Sequence, residues 1–495
     1  MDELRDEGSV PPRVPTGIAG LDEVLSGGLF RAGVYIVRGV PGVGKTVLGN
    51  QLAFHHVRSG GRAVYATLLS ESHGRLLAFM QAMSFFDRGA VGKTIQYLNG
   101  YSAIEREGLP GLLKLIRGIV RDGKATLLVI DGMITASAVA GSEIEFKKFV
   151  QELQTWIEII GCTVVLLTSA RESELRPEYT MVDGIIELEY PAIGARRVRE
   201  LTVTKFRGSA YAEGKHTYDI TRDGVSVFPR VESRFGRRPQ AAVQDGRADL
   251  GDARLDAMVA GGFARGSATL LIGSSGAGKT ILGLQFLAAG LARDERALHF
   301  GFYEDPPTTV ASGDRFGFRF GDAVREGRLE CVWLPMAEGV LDRIGDCLIT
   351  SVERTRAHRV VVDGLQAFRN AAHAERLAGV WGALAQELRS RGVTMLIMAE
   401  TPEMFVQRLE VPVPGMSAAV DNVVFLRQME DGAKVRRELG VLKTRDRAHE
   451  RSLVEYEITA HGIRLGRGYP STSAAGARGR ASPVKQGEGR GRGKR

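Results

Sequence analysis

VRGVPGVGKTVLGNQLAF, residues 37–54, and LIGSSGAGKTILGLQFLA, residues 271–288, decide how this chain folds. Each runs from a strand-like apolar segment through a glycine-rich turn into helix-like sequence, and each turn closes on Gly-Lys-Thr. Gly39, Gly42, Gly44, Lys45 and Thr46 in the first stretch, and Gly273, Gly276, Gly278, Lys279 and Thr280 in the second, fit the pattern G-x-x-x-x-G-K-[ST]. Glycines let the turn wrap closely, so that backbone N–H groups and the helix N-terminus aim at phosphate oxygens. The lysine then reaches β- and γ-phosphates, and the threonine hydroxyl ligates Mg²⁺. The flanking strand and helix make the match specific.

Working outward, other landmarks recur at nearly the same offset. Lys45 and Lys279 are 234 residues apart; Asp131 and Asp363, which close the apolar runs TLLVID and RVVVD, are 232 apart; Lys205 in VTKFRGS and Lys443 in VLKTRDR are 238 apart. The chain is therefore a tandem duplication, with copies near 14–230 and 250–468 joined by the polar stretch VESRFGRRPQAAVQDGRADLGD. Divided completely, this gives a first domain over 1–234, a second over 235–469 and a tail over 470–495. Short Val/Ile/Leu runs such as GCTVVLLTS and GVTMLIMAE alternate with helix-like segments in each copy. That alternation predicts α/β domains with a mainly parallel sheet flanked by helices.

The length of 495 residues agrees with about two or three domains. With 44% hydrophobic and 25% charged residues, no long apolar run and an acidic, polar start, the composition points to a cytoplasmic protein without a membrane span. Cys162, Cys331 and Cys347 lie far apart in apolar surroundings, as buried reduced thiols do. The net charge is +8, but the last 25 residues hold seven Lys/Arg against one Glu, leaving about +2 for the rest. The body is thus no basic platform for nucleic acid. The Gly/Arg-rich tail reads as disordered, with at most a weak attraction for anionic partners.

Hydrolysis needs more than a phosphate loop. Asp131 and Asp363, each ending a buried strand, suit the carboxylate that orients Mg²⁺ through its waters. To activate water, VYATLLSES offers Glu71, 26 residues after Lys45, and LHFGFYED offers Glu304 and Asp305, the former 25 residues after Lys279.

PTGIAGLDEVLSGG ahead of the first loop, LTVTKFRGS and YDITRDGVSVFP after it, and the same order in the second copy resemble the KaiC family of double-domain RecA-type ATPases. The resemblance spans nearly the whole chain except the first dozen residues and the tail. It implies two RecA-like P-loop domains, ATP and Mg²⁺ as ligands, protein signalling partners, and a homohexameric double ring with ATP at subunit interfaces. It also implies that Lys205 and Arg207 in the first ring, and Lys443 and Arg445 in the second, contact the γ-phosphate held by the neighbouring subunit. Asp446 replaces the glycine that follows in the family motif. In the clock kinase of this family an adjacent Ser-Thr pair accepts phosphate. Here PGMSAAVDNVVFLR places Ser417 on the serine position and Ala418, without a hydroxyl, on the threonine position. A serine autokinase of the second domain is thereby limited to one acceptor. The first copy has Ser70-Glu71 where the family has paired glutamates, so Glu71 reaches the catalytic position only with a one-residue shift from Thr67. Two other readings compete with a hexameric signalling ATPase. One is a RecA-like DNA-dependent ATPase, disfavoured by the nearly neutral body and the lack of a Cys₄ module; the other is a nucleotide-gated scaffold with very slow turnover.

Overall fold

Val-, Ile- and Leu-rich runs form strands buried on both faces, the environment of a parallel sheet covered by helices. The computed structural model describes residues 12–68, 73–169, 180–193, 196–235, 245–335, 340–369, 373–401, 415–431, 434–445, 450 and 452–466. In the first repeat β1 (Val34–Gly39), β2 (Ala63–Thr67), β3 (Ile95–Asn99), β4 (Leu127–Asp131), β5 (Thr163–Thr168), β6 (Gly184–Glu189), β7 (Glu200–Phe206), β8 (Lys215–Thr221) and β9 (Gly224–Phe228) form a nine-stranded sheet among the described residues. Its order is β3-β2-β4-β5-β1-β6-β7-β8-β9. The second repeat supplies β10 (Ala268–Gly273), β11 (Ala297–Gly301), β12 (Leu329–Trp333), β13 (Arg359–Asp363), β14 (Thr394–Glu400), β15 (Asn422–Asp431), β16 (Lys434–Lys443), β17 (Val454–Thr459) and β18 (Gly462–Leu465). These follow the order β12-β11-β13-β14-β10-β15-β16-β17-β18. The second order repeats the first, shifted by nine strands. In each sheet the first six strands run parallel and the last three add antiparallel.

The helices that matter for the site are α1 (Lys45–Arg58), α2 (Tyr101–Gly123), α3 (Glu143–Ile160), α4 (Lys279–Leu291), α5 (Pro306–Arg315) and α6 (Met416–Ala419). Because side chains alternate along a strand, one sheet feeds two cores. Val34, Ile36, Leu128, Ile130 and Leu166 pack with Leu112 and Ile116 of α2 and Leu153 of α3. The alternate residues Tyr35, Val37, Tyr65, Val129 and Leu167 pack with Leu48, Leu52 and Phe54 of α1. In the second sheet Leu271, Val361, Leu396 and Met398 meet Leu282, Phe286 and Leu287 of α4. Each such Leu contributes about 1.5–3 kcal/mol by leaving water, so the phosphate-loop helix is held down mainly by apolar contact.

By compactness the chain divides into two units: residues 1–242 with 334–354 and 366–391, and residues 243–333 with 355–365 and 392–495. Within the first unit a polar cluster is buried. Asp342, fully enclosed, accepts the Val231 N–H at 3.2 Å and Nη2 of Arg376 at 2.7 Å; Nε of Arg376 also donates to Glu232 at 2.9 Å. Within the second unit Arg359, 1% exposed at the start of β13, donates to Glu295 at 2.5 Å, to Asp249 at 2.7 Å and to the Phe286 carbonyl of α4 at 2.9 Å. No helix among the described residues is long and apolar enough to cross a membrane.

Candidate functional site

The two phosphate loops adopt the same form. Each lies between a strand that ends on glycine, Gly39 or Gly273, and a helix that begins at the lysine. The residues just before the helices, Gly44 and Gly278, have φ of 108° and 90°, a left-handed region open to glycine but strained for other residues. Gly42 and Gly276, inside the loops, also have positive φ. The Lys45 ammonium donates to the carbonyls of Gly39 at 2.7 Å and Val40 at 3.0 Å, and Lys279 donates to the Ser274 carbonyl at 2.8 Å. Burial pushes both amines below the ordinary lysine range, opposed in the first repeat by Asp131 and in the second by Glu400 and Asp363.

Each helix delivers its threonine to a strand-end carboxylate. Thr46 Oγ1 donates to Asp131 Oδ2 at 2.8 Å, and Thr280 Oγ1 donates to Asp363 Oδ2 at 3.1 Å. β4 and β13 occupy the same place in the two sheets, so the pairing is a property of the topology. Around these pairs the repeats differ. Tyr65 Oη adds a second donor to Asp131 Oδ2 at 3.0 Å, whereas the position of Tyr65 in the second repeat is His299. Burial pushes the Asp131 carboxyl up, opposed by Thr46, Tyr65 and Lys45. Burial carries the Asp363 carboxyl up to about 6; Thr280 opposes this, and the charges of Glu304 and Glu400 add to it. A hydroxyl and a carboxylate are hard oxygen donors, the set Mg²⁺ accepts when it keeps waters and takes phosphate oxygens as its remaining ligands. The residues present fit a Mg·nucleotide.

A family model described as "ATPase: KaiC" matches residues 14–232 and, a second time, 251–468. This chain belongs to the KaiC family of ATPases. Relatives named "Circadian clock oscillator protein KaiC" from Picosynechococcus sp. and Parasynechococcus marenigrum are 25% and 26% identical over 92% of this chain, covering 89% and 90% of their own lengths. A Synechocystis relative named "Circadian clock oscillator protein KaiC 1" is 25% identical over 91% of this chain and 88% of its own length.

Of the remaining KaiC-type positions, Glu304 and Asp305 follow the end of β11, on the loop edge of the sheet, whereas the basic pairs and Ser417 lie at the opposite strand ends, where β6 and β15 begin: Lys205 faces Ile185 and Lys443 faces Val423. Lys205 Nζ and Arg207 Nη2 both donate to the Thr180 carbonyl, at 2.9 and 2.6 Å. Lys443 donates to the carbonyls of Ser417 at 2.5 Å and Val420 at 2.8 Å, and Arg445 to that of Ala418 at 2.8 Å. In both repeats the basic pair thus holds the segment that enters the sixth parallel strand. Ser417 is exposed on α6 with its carbonyl in that grip. Glu304 is exposed, and its charge reaches Asp363. Asp305 instead caps α5, accepting the Thr308 N–H at 3.0 Å, and that bond draws its carboxyl below the usual range. Glu71 and Asp446 lie outside the described residues.

Two site residues had no motif to announce them. Tyr65 belongs to the site through its 3.0 Å hydrogen bond to Asp131, a diagonal contact from β2 to β4 that no local pattern encodes. Glu400 sits beside the loop because β14 pairs with β10 so that Glu400 faces Gly273; Ser169, just past β5, holds that place in the first repeat.

Proposed function

We propose that this KaiC-family chain binds and hydrolyses Mg·ATP in both repeats, assembles as a homohexameric double ring, and acts as a signalling protein whose second repeat is an autokinase limited to Ser417. The observation that carries the ATPase reading is the twin contact Thr46–Asp131 and Thr280–Asp363, at 2.8 and 3.1 Å. Thr46 with Asp131, and Thr280 with Asp363, would hold Mg²⁺, which would supply positive charge against the phosphates. Lys45 and Lys279 exchange their carbonyl acceptors for phosphate oxygens, and a polyanion favours the charged form of an amine that burial disfavours. Glu71 in the first repeat and Glu304 in the second orient the attacking water. Lys205 with Arg207, and Lys443 with Arg445, reach the γ-phosphate on the neighbouring subunit and stabilise the charge spread over its oxygens.

For the autokinase step the Ser417 Oγ–P bond forms as the bond between the γ-phosphorus and the β,γ-bridging oxygen breaks. The nucleotide is that of the neighbouring subunit; the hydroxyl proton passes to that subunit's Glu304, and ADP leaves. Ala418 has no hydroxyl, so the cycle has one acceptor where the family's clock kinase has two. Phosphopeptide mass spectrometry after incubation with Mg·ATP is the test. The expected result is label on Ser417 alone, lost in Ser417→Ala while phosphate release continues, and reduced on the order of 10²-fold in Glu304→Gln with nucleotide still bound. Label on the Ser/Thr residues of the tail, or unchanged label in Ser417→Ala, overturns the kinase part and leaves an ATPase.

A further inference from the structure

Among the described residues, the first repeat surrounds its metal-side carboxylate with hydrogen bonds that the second lacks. Tyr65, wholly buried on β2, and Thr46 both donate to Oδ2 of Asp131, at 3.0 and 2.8 Å. The Tyr65 ring lies 5.4 Å from that of Tyr97 on β3. Tyr97 Oη donates to Asn50 Oδ1 at 2.7 Å, and Asn50 Nδ2 donates to the Thr46 carbonyl at 2.8 Å. One network therefore fixes both the carboxylate and the turn that presents the threonine.

At the 234-residue offset Asn50, Tyr65 and Tyr97 become Leu284, His299 and Cys331. The strand registers agree: Tyr65 faces Tyr97 and Val129, and His299 faces Cys331 and Val361. Leu284 offers no hydrogen bond. The His299 imidazole is buried, and its Nε2 has no hydrogen-bond partner among the described residues. It packs against Gly301, where a Cβ would come within 2.9 Å of the ring; the first repeat has Thr67 there. The shorter histidine does not replace the tyrosine hydroxyl. Asp363 Oδ2 takes the longer bond from Thr280, at 3.1 Å, and the charges of Glu304 and Glu400 act on its carboxylate.

Resting on the reading of both repeats as Mg·nucleotide sites, we infer that Tyr65 is a positioning residue that presets Asp131 for the metal, so that the first repeat holds Mg·nucleotide at lower free metal than the second. A carboxylate already held in one rotamer loses less freedom when the hydrated cation arrives. Partners behind a metal ligand typically change affinity by about 10–100-fold when removed.

Electron paramagnetic resonance of Mn²⁺ in the presence of ADP reads this without turnover. In the full chain Lys279→Ala leaves the first site to be observed and Lys45→Ala the second. The expected Mn²⁺ midpoint is about tenfold lower for the first site. Tyr65→Phe, which keeps the ring, raises it to the level of the second, and Asn50→Leu, which copies the second repeat, moves it the same way and carries the test if Tyr65→Phe misfolds. Equal midpoints for the two sites, or a midpoint unmoved by folded Tyr65→Phe, overturns the inference. Absence of ADP-dependent Mn²⁺ binding in both single-site proteins overturns the site reading instead.

Discussion

Lys45 and Lys279 each serve one loop, since among the described residues their hydrogen bonds go only to carbonyls of their own turn. Lys45→Ala should therefore empty the first repeat alone and Lys279→Ala the second alone, each leaving about half the bound nucleotide in a filter or chromatographic count. Loss of all nucleotide from either variant contradicts independent loops. These residues were legible because a phosphate loop is a local device: the glycines, lysine and threonine that make it are consecutive. Asp131 and Asp363 were legible as acids ending apolar strands. Glu400 and Tyr65 were not, because their nearness to the loops depends on which residues face each other across β10 and β14 or reach diagonally from β2 to β4. Asp305, which the sequence offers beside Glu304 as a second candidate carboxylate, accepts the Thr308 N–H as the cap of α5, a role set by the Pro306 helix start rather than by any site motif.

At the level of elements the two sheets share an order but not their fillings. Arg359 opens β13 where Leu127 opens β4. Arg359→Leu leaves Glu295 buried without that guanidinium and should cost about 3–5 kcal/mol in urea unfolding of the second unit. Arg359→Leu combined with Glu295→Gln should recover part of the loss, and an additive result would show that the pair is not coupled. Within β11, burial lowers the His299 imidazole to about 4. The unfolded chain then binds the extra proton first. The stability contributed by the neutral ring is complete above about pH 6.5 and is lost as the pH falls towards about 4. His299→Leu should flatten that dependence, read as the difference between variant and parent in urea-dependent hydrogen exchange of peptides covering 297–301. The same slope in both proteins would deny the histidine this role. Sequence showed that β11 exists and follows its loop, but a lone histidine in LHFGFYED carries no mark of being wholly enclosed.

For the molecule as a whole, the duplicated α/β architecture was readable from the shared offsets of Lys, Asp and Lys-x-Arg landmarks. The compact units were not, since segments 334–354 and 366–391 group with the first repeat through contacts no motif encodes. If each nucleotide is completed by a neighbour's basic pair, Mg·ATP binds the assembled state better and favours it by mass action. Light scattering at micromolar chain should show a six-chain particle with Mg·ATP, falling towards monomer in Lys205→Ala/Arg207→Ala combined with Lys443→Ala/Arg445→Ala. A monomer in saturating Mg·ATP defeats the ring.

The composition of the first unit also bears on synthesis. Residues 1–242 leave the ribosome well before residues 334–391, which carry the Asp342 acceptor for the Val231 N–H and the Arg376 donor to Glu232. At about 5–20 residues per second, the interval of 149 residues between 242 and 391 lasts about 7–30 s. During that time the nascent chain carries Val231 and Glu232, just past β9, without their Asp342 and Arg376 partners, and a fragment stopped near residue 242 never gains them. Holding factors that bind unfinished chains should meet this protein mid-translation, with release coinciding with emergence of residue 391.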